Sequence, residues 1–221
     1  MTPRFLCTLA LVAAASVLGG CATTRSEIKI SSPSAQPAPV GSASARTVVI
    51  RSVKDERVFE QAPRIASTPS LGFEGAAQAT AEVKARAIGR KRGGFGQAFG
   101  DVLLDHGQTV AGLVRENLTA AFVQAGFRVV TDSAAGPAPL LVDVRINQFW
   151  AWMQPGFWAI RLSTQIETEL DLAGTATPLK FSVITADSRQ IVTDGAWLEI
   201  VEKALLAYRA QAATRFGAPP F

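Results

Sequence analysis

Trp158, Ile160, Leu162, Thr164, Ile166, Thr168, Leu170 and Leu172 occupy alternate positions, and the residues between them include Arg161, Ser163, Gln165, Glu167, Glu169 and Asp171. Alternation sustained over that length predicts one strand with a core face and a wet face. Upstream, Val142, Val144 and Ile146 alternate with Asp143, Arg145 and Asn147, and Pro155-Gly156 between the two runs is a turn dipeptide. The runs are expected to pair as a long hairpin. Leu179, Phe181 and Val183 add a strand after the turn from Gly174 to Pro178, and Thr47 to Val53 (TVVIRSV) gives an earlier one closed by Asp55-Glu56-Arg57. Phe127 to Thr131 (FRVVT) reads as another.

A period of three and four replaces that of two between Thr109 and Ala125, where Val110, Leu113, Val114, Leu118, Ala121, Phe122 and Ala125 recur. That spacing predicts a helix, with Thr109 as its N-cap and Gly126 at the C′ position. A second helix is expected from about Asp194 to Phe216, with Trp197, Val201, Ala204, Leu205, Tyr208 and Ala212 on one face. Ala76 to Ile88, rich in Ala, Glu, Lys and Arg, favours a third. The glycines of Arg90-Lys91-Arg92-Gly93-Gly94-Phe95-Gly96 argue against regular structure there. Half-wet strands and helices with one apolar stripe predict an α+β fold. It is a two-layer sandwich with a mainly antiparallel sheet of about five strands packed against two or three helices.

The N-terminus breaks both periods. Arg4 precedes an apolar run from Phe5 to Val17, and Leu18-Gly19-Gly20-Cys21 follows. A basic residue, a short apolar run and small residues form a secretory signal over residues 1–20, too short to remain as a membrane span. From Cys21 to residue 45 the chain is rich in Ser and Pro and reads as a flexible tether, reaching about 25 to 30 Å if it behaves as a coil. Within it, Ile28 and Ile30 alternate with charges and are compatible with a short edge strand. Residues 46–221 are expected to be a single periplasmic domain, with a basic, glycine-rich insertion at about 60–104. The 48% of hydrophobic residues supply a core without help from disulfides or metals.

Candidate chemistry is sparse. The two cysteines, Cys7 and Cys21, fall in the signal and at its end, which excludes disulfide and thiolate-metal chemistry in the body. His106 is the single histidine and has no nucleophile motif beside it. Glu167, Glu169 and Asp171 share one strand face, the ordinary solvated face of a half-buried strand. No catalytic residue, metal site or cofactor is expected, and the chain reads as a non-enzyme.

Two surface features stand out. Lys84, Arg86, Arg90, Lys91 and Arg92 concentrate positive charge, and they are candidates for contact with an anionic surface such as headgroups; the spacing is not that of a phosphate-binding loop, and no nucleic acid is expected. Three of the four tryptophans fall between Trp150 and Trp158. Trp150 and Trp152 share the register of Val144 and Ile146, which predicts burial, as does the apolar register of Trp158. Phe149, Met153 and Phe157 take the opposite register, so they are candidates for a partner-binding hairpin tip.

Leu18-Gly19-Gly20-Cys21 resembles the lipobox of bacterial lipoproteins, which implies lipidation of Cys21 with diacylglycerol. Ala22, not Asp, after the cysteine implies sorting to the outer membrane. Glu27-Ile28-Lys29-Ile30-Ser31, the helix ending in Ala125-Gly126-Phe127-Arg128-Val129-Val130, and the hairpin together resemble the YajG-like family of bacterial lipoproteins. Ala87 to Gly96 continuing to Gly100-Asp101-Val102-Leu103-Leu104, together with Phe149 to Trp152 and Pro155 to Trp158, is similar to a subgroup of it. The resemblance brings no catalytic residues. It implies a lipid-anchored envelope protein, held to the membrane by its N-terminal anchor, that faces the periplasm and acts through an envelope protein partner or other envelope contacts. The alternative is an auxiliary lipoprotein of a lipid or lipopolysaccharide transport system.

Overall fold

A computed structural model of the chain describes residues 25–33, 46–73, 75–93, 97–131, 134 and 138–218. The elements run β1 (Ser26–Ile28), β2 (Thr47–Asp55), α1 (Ala81–Arg86), β3 (Ala87–Arg92), β4 (Ala98–Leu104), α2 (Val110–Gln124), β5 (Arg128–Val129), β6 (Leu140–Pro155), β7 (Ile160–Leu172), β8 (Leu179–Arg189) and α3 (Asp194–Gly217). The signal and Cys21 lie outside the described residues.

Among the described residues, the expected five-stranded, mainly antiparallel sheet is replaced by a mixed sheet of eight strands with three helices. β6 is its axis. Along one side β6 pairs antiparallel with β7, and β7 with β8. Along the other side β6 serves two partners in succession, β2 over its first half and β3 over its second, both parallel. β2 continues to β5, and β3 through the antiparallel β4 to the parallel edge strand β1. Arg90 to Arg92, read from sequence as irregular, belong to β3, and only Ala81–Arg86 of the expected third helix is helical. Backbone pairing with β4 and β6 prevails over local helix propensity here.

α2 and α3 cover one face of the sheet. Thr109 caps α2 by accepting from the Gly112 N–H at 3.0 Å, and Gly126 takes the left-handed conformation that ends it. Val114, Leu118, Phe122, Trp197, Tyr208 and Phe216 pack from the helices onto β2, β6, β7 and β8. Phe122 stacks on Phe216 with ring centroids 3.9 Å apart.

The opposite face is partly covered by the segment between β2 and β3, giving a second, smaller core of Leu71, Ala87, Leu103, Trp150 and Trp152 with Phe59 and Val83 against it. A β-bulge decides which residues reach it. The register of β6 against β7 slips between Ile146 and Gln148, leaving Asn147 extra. Beyond the bulge Phe149 and Ala151 inherit the helix-covered face of Val144 and Ile146, while Trp150 and Trp152 turn to the other. Arg57 ties this cover to the sheet: its buried guanidinium donates to the carbonyls of Lys84, Ala87 and Phe149 at 2.6 to 2.9 Å and forks onto Asp55.

Candidate functional site

The hairpin of β6 and β7 closes over Gly156 to Ala159, where the Gly156 N–H donates to the Ala159 carbonyl at 2.9 Å. Phe157 and Trp158 stand out from this turn, 90% and 82% exposed. Their rings meet edge to face with centroids 4.8 Å apart. Aromatic side chains this large lose their hydrophobic stabilisation when left in water, which makes the tip a candidate contact surface. Ile191, 75% exposed, belongs to the same end of the sheet, because Arg189 at the close of β8 lies opposite Ile160. From Gln148 to Ile166 the hairpin holds no acidic residue, and its one charge is the exposed Arg161.

Of the three residues proposed from sequence for the tip, only Phe157 is there. Phe149 is fully buried in the main core, and Met153 is half-buried against it. Trp158, expected inside, is outside, since the strand begins only at Ile160. The bulge at Asn147 explains the first correction and the four-residue turn the second.

The basic residues do not converge into one patch. Arg86 is buried, donating to the Leu104 carbonyl at 2.9 Å and pairing with Glu27. Arg92 is buried with its guanidinium toward the Pro63 carbonyl and Ser70. Lys91 points to the other face of β3 and donates to Ser26 Oγ at 2.6 Å, with Asp194 at 3.8 Å. Desolvation lowers the pKa of both Arg90 and Arg92; for Arg90 the charge of Asp101 opposes that shift and that of Arg92 adds to it. Lys84 is half-buried on α1. The side chains of Arg86, Lys91 and Arg92 are thus engaged within the fold and are not spread on one surface.

His106 sits exposed in the turn before α2, 3.5 Å from Glu27. Glu169 is bridged by Lys180 at 2.8 Å and Arg145 at 3.1 Å, and Arg145 also reaches Asp171, so the carboxylates form cross-strand ion pairs on the wet face. Among the described residues no group of His, Cys, Asp and Glu is placed to hold a metal. An open cleft of about 800 Å3 lies at the end of the sheet away from the tip, where Arg46 stacks over Phe127 beside Leu140, Leu172 and Leu179.

No protein-family model and no curated protein matches the sequence. Among solved structures the chain is similar to an uncharacterized protein at 10% identity, covering 88% of this chain and 98% of that one with a TM-score of 0.43. It is also similar to a protein from Xanthomonas campestris of the DUF330 family, at 13% identity over 89% and 93% with a TM-score of 0.42. A provisionally assigned lipoprotein from Caulobacter crescentus CB15 is similar at 11% identity over 49% and 83%, with a TM-score of 0.29. Likenesses this distant carry no function to the chain.

Proposed function

We propose that the protein is a lipid-anchored envelope lipoprotein of the YajG-like kind, sorted to the outer membrane and facing the periplasm, that works by contact and not by catalysis. The exposed Phe157–Trp158 pair, edge to face at the turn of the long hairpin, carries this reading. The lipobox-like Leu18 to Cys21 supports the anchor, and no helix among the described residues is long and apolar enough to cross a membrane in its place. Two or three acyl chains at about 0.8 kcal/mol per buried CH₂ make such an anchor durable.

The test is fractionation of cells producing the full chain. Cys21→Ser is expected to leave an unprocessed or non-lipidated product of altered mobility and detergent partitioning. A photo-crosslinker at position 157 should form an adduct with an envelope component, and one at Lys180, on the wet face of the sheet, should not. Normal processing and partitioning of Cys21→Ser would refute the anchor, and equal crosslinking at the two positions would refute the tip.

A further inference from the structure

We infer that the tip formed by Phe157 and Trp158, with Ile191 beside it, inserts into the interface of the same bilayer that holds the N-terminal lipid. The domain is then attached at two points and lies in a fixed orientation. This rests on the lipid-anchor reading and adds to it the identity of what the tip contacts.

The argument is one of direction. β6 runs toward the tip, and β3, parallel to it, runs the same way, with Arg90 level with Trp152. β4 is antiparallel to β3 and β1 parallel to β4, so β1 starts near the tip end and runs away from it. Arg25, immediately before β1, is fixed there: its guanidinium donates to the fully buried Asp101 at 3.1 Å and lies over the ring of Phe73. Asp101 pairs with Arg90 in register, which puts Arg25 level with Trp152.

Three residues of β6 and the turn separate that level from the aromatic pair, about 15 Å at strand rise. Cys21 lies four residues before Arg25, a reach of up to about 14 Å. A chain of that length, fully extended, can bring Cys21 close to the plane of the aromatic tip. Three strand spacings separate β6 from β1, about 14 Å across that plane, so the two attachments are distinct.

The chemistry of this end suits a bilayer interface. Tryptophan settles at headgroup level and phenylalanine belongs with the apolar side chains that enter the acyl boundary, and the hairpin's own charge, Arg161, is a cation that anionic lipids attract. Acidic side chains of β8 and α3 are engaged: Asp187 and Glu199 by Arg189 at 2.9 and 2.6 Å, and Asp194 by Lys91 at 3.8 Å.

Trp158 offers a direct probe, because Trp150, Trp152 and Trp197 are buried. The mature full chain would be reconstituted into vesicles of phosphatidylethanolamine and phosphatidylglycerol brominated along the acyl chains. Its fluorescence would be compared with that of Trp158→Phe, which reports the three buried rings alone. The expected result is loss of most of the Trp158 emission to the brominated lipid, together with protection from aqueous iodide. Trp158→Ser and Phe157→Ser should fold normally, as circular dichroism would show, since both positions are exposed.

Flotation of the vesicles and the mass of the Cys21 peptide report the anchor separately. A lipidated chain that floats while Trp158 stays unquenched and open to iodide overturns this inference and leaves the anchor standing. Shielding of Trp158 only when envelope proteins are added would likewise overturn it and assign the tip to a protein. An unmodified Cys21 in a chain that does not float overturns both.

Discussion

Arg57 shows how a charge can be structural at the scale of one residue. In sequence it closes a strand beside Asp55 and Glu56; in the fold it is buried, and its fork satisfies three main-chain carbonyls and one carboxylate. The partners at Ala87 and Phe149 lie 30 and 92 residues away, which is why no local pattern announces them. Removing the guanidinium strands those acceptors together with Asp55, so Arg57→Ala should cost about 3 to 5 kcal/mol in urea unfolding. Arg57→Lys should recover little, because an ammonium cannot present the same planar set of donors. The same distance effect hid Arg86 and Arg92, whose positive charge in sequence suggested a surface and whose carbonyl partners make them interior.

At the scale of elements, the hairpin separates what was legible from what was not. Its two strands, the cap of α2 at Thr109 and the turn at Gly126 follow from periodicity and cap chemistry, both local signals. The bulge at Asn147 leaves no such signal, and one added residue moves every later side chain of β6 to the other face. Trp150 and Trp152 were therefore expected inside for the wrong face, and Phe149 outside. The exposure difference gives a sharp forecast for the tryptophans. Trp150→Ala should cost about 3 to 5 kcal/mol by opening a cavity against Leu71 and Leu103. Trp158→Ala should leave the melting temperature almost unchanged. Comparable losses in the two would mean that the tip is packed within the domain and would remove the contact surface.

At the scale of the whole molecule, alternation reveals which face of a strand is wet but not which strand lies beside it, and so the parallel pairings of β6 with β2 and β3 were invisible. The wet face also carries carboxylate contacts, some of them between neighbouring strands, whose effect depends on pH. Ser52 hydrogen-bonds Asp143 and Arg51 pairs with it, linking β2 to β6; the hydroxyl's hydrogen bond and the guanidinium both lower its pKa. Lys180, with Arg145, lowers that of Glu169, linking β6, β7 and β8. The Ser188 N–H and then Arg189 lower that of Asp187. A carboxylate with a depressed folded pKa stabilises the fold fully above its unfolded value, about 4, and loses that contribution as pH falls through the folded value. The protein should therefore be flat in stability from pH 7 down to about 5 and lose stability progressively below about 4. Each exposed pair is individually weak and screened by salt, so the effect is a sum over strands. Urea midpoints measured from pH 7 to pH 3 should show this acid limb, and Asp143→Asn should make it shallower while lowering the plateau above it. A midpoint that does not change between pH 5 and pH 3 would show that these contacts do not bind the sheet together.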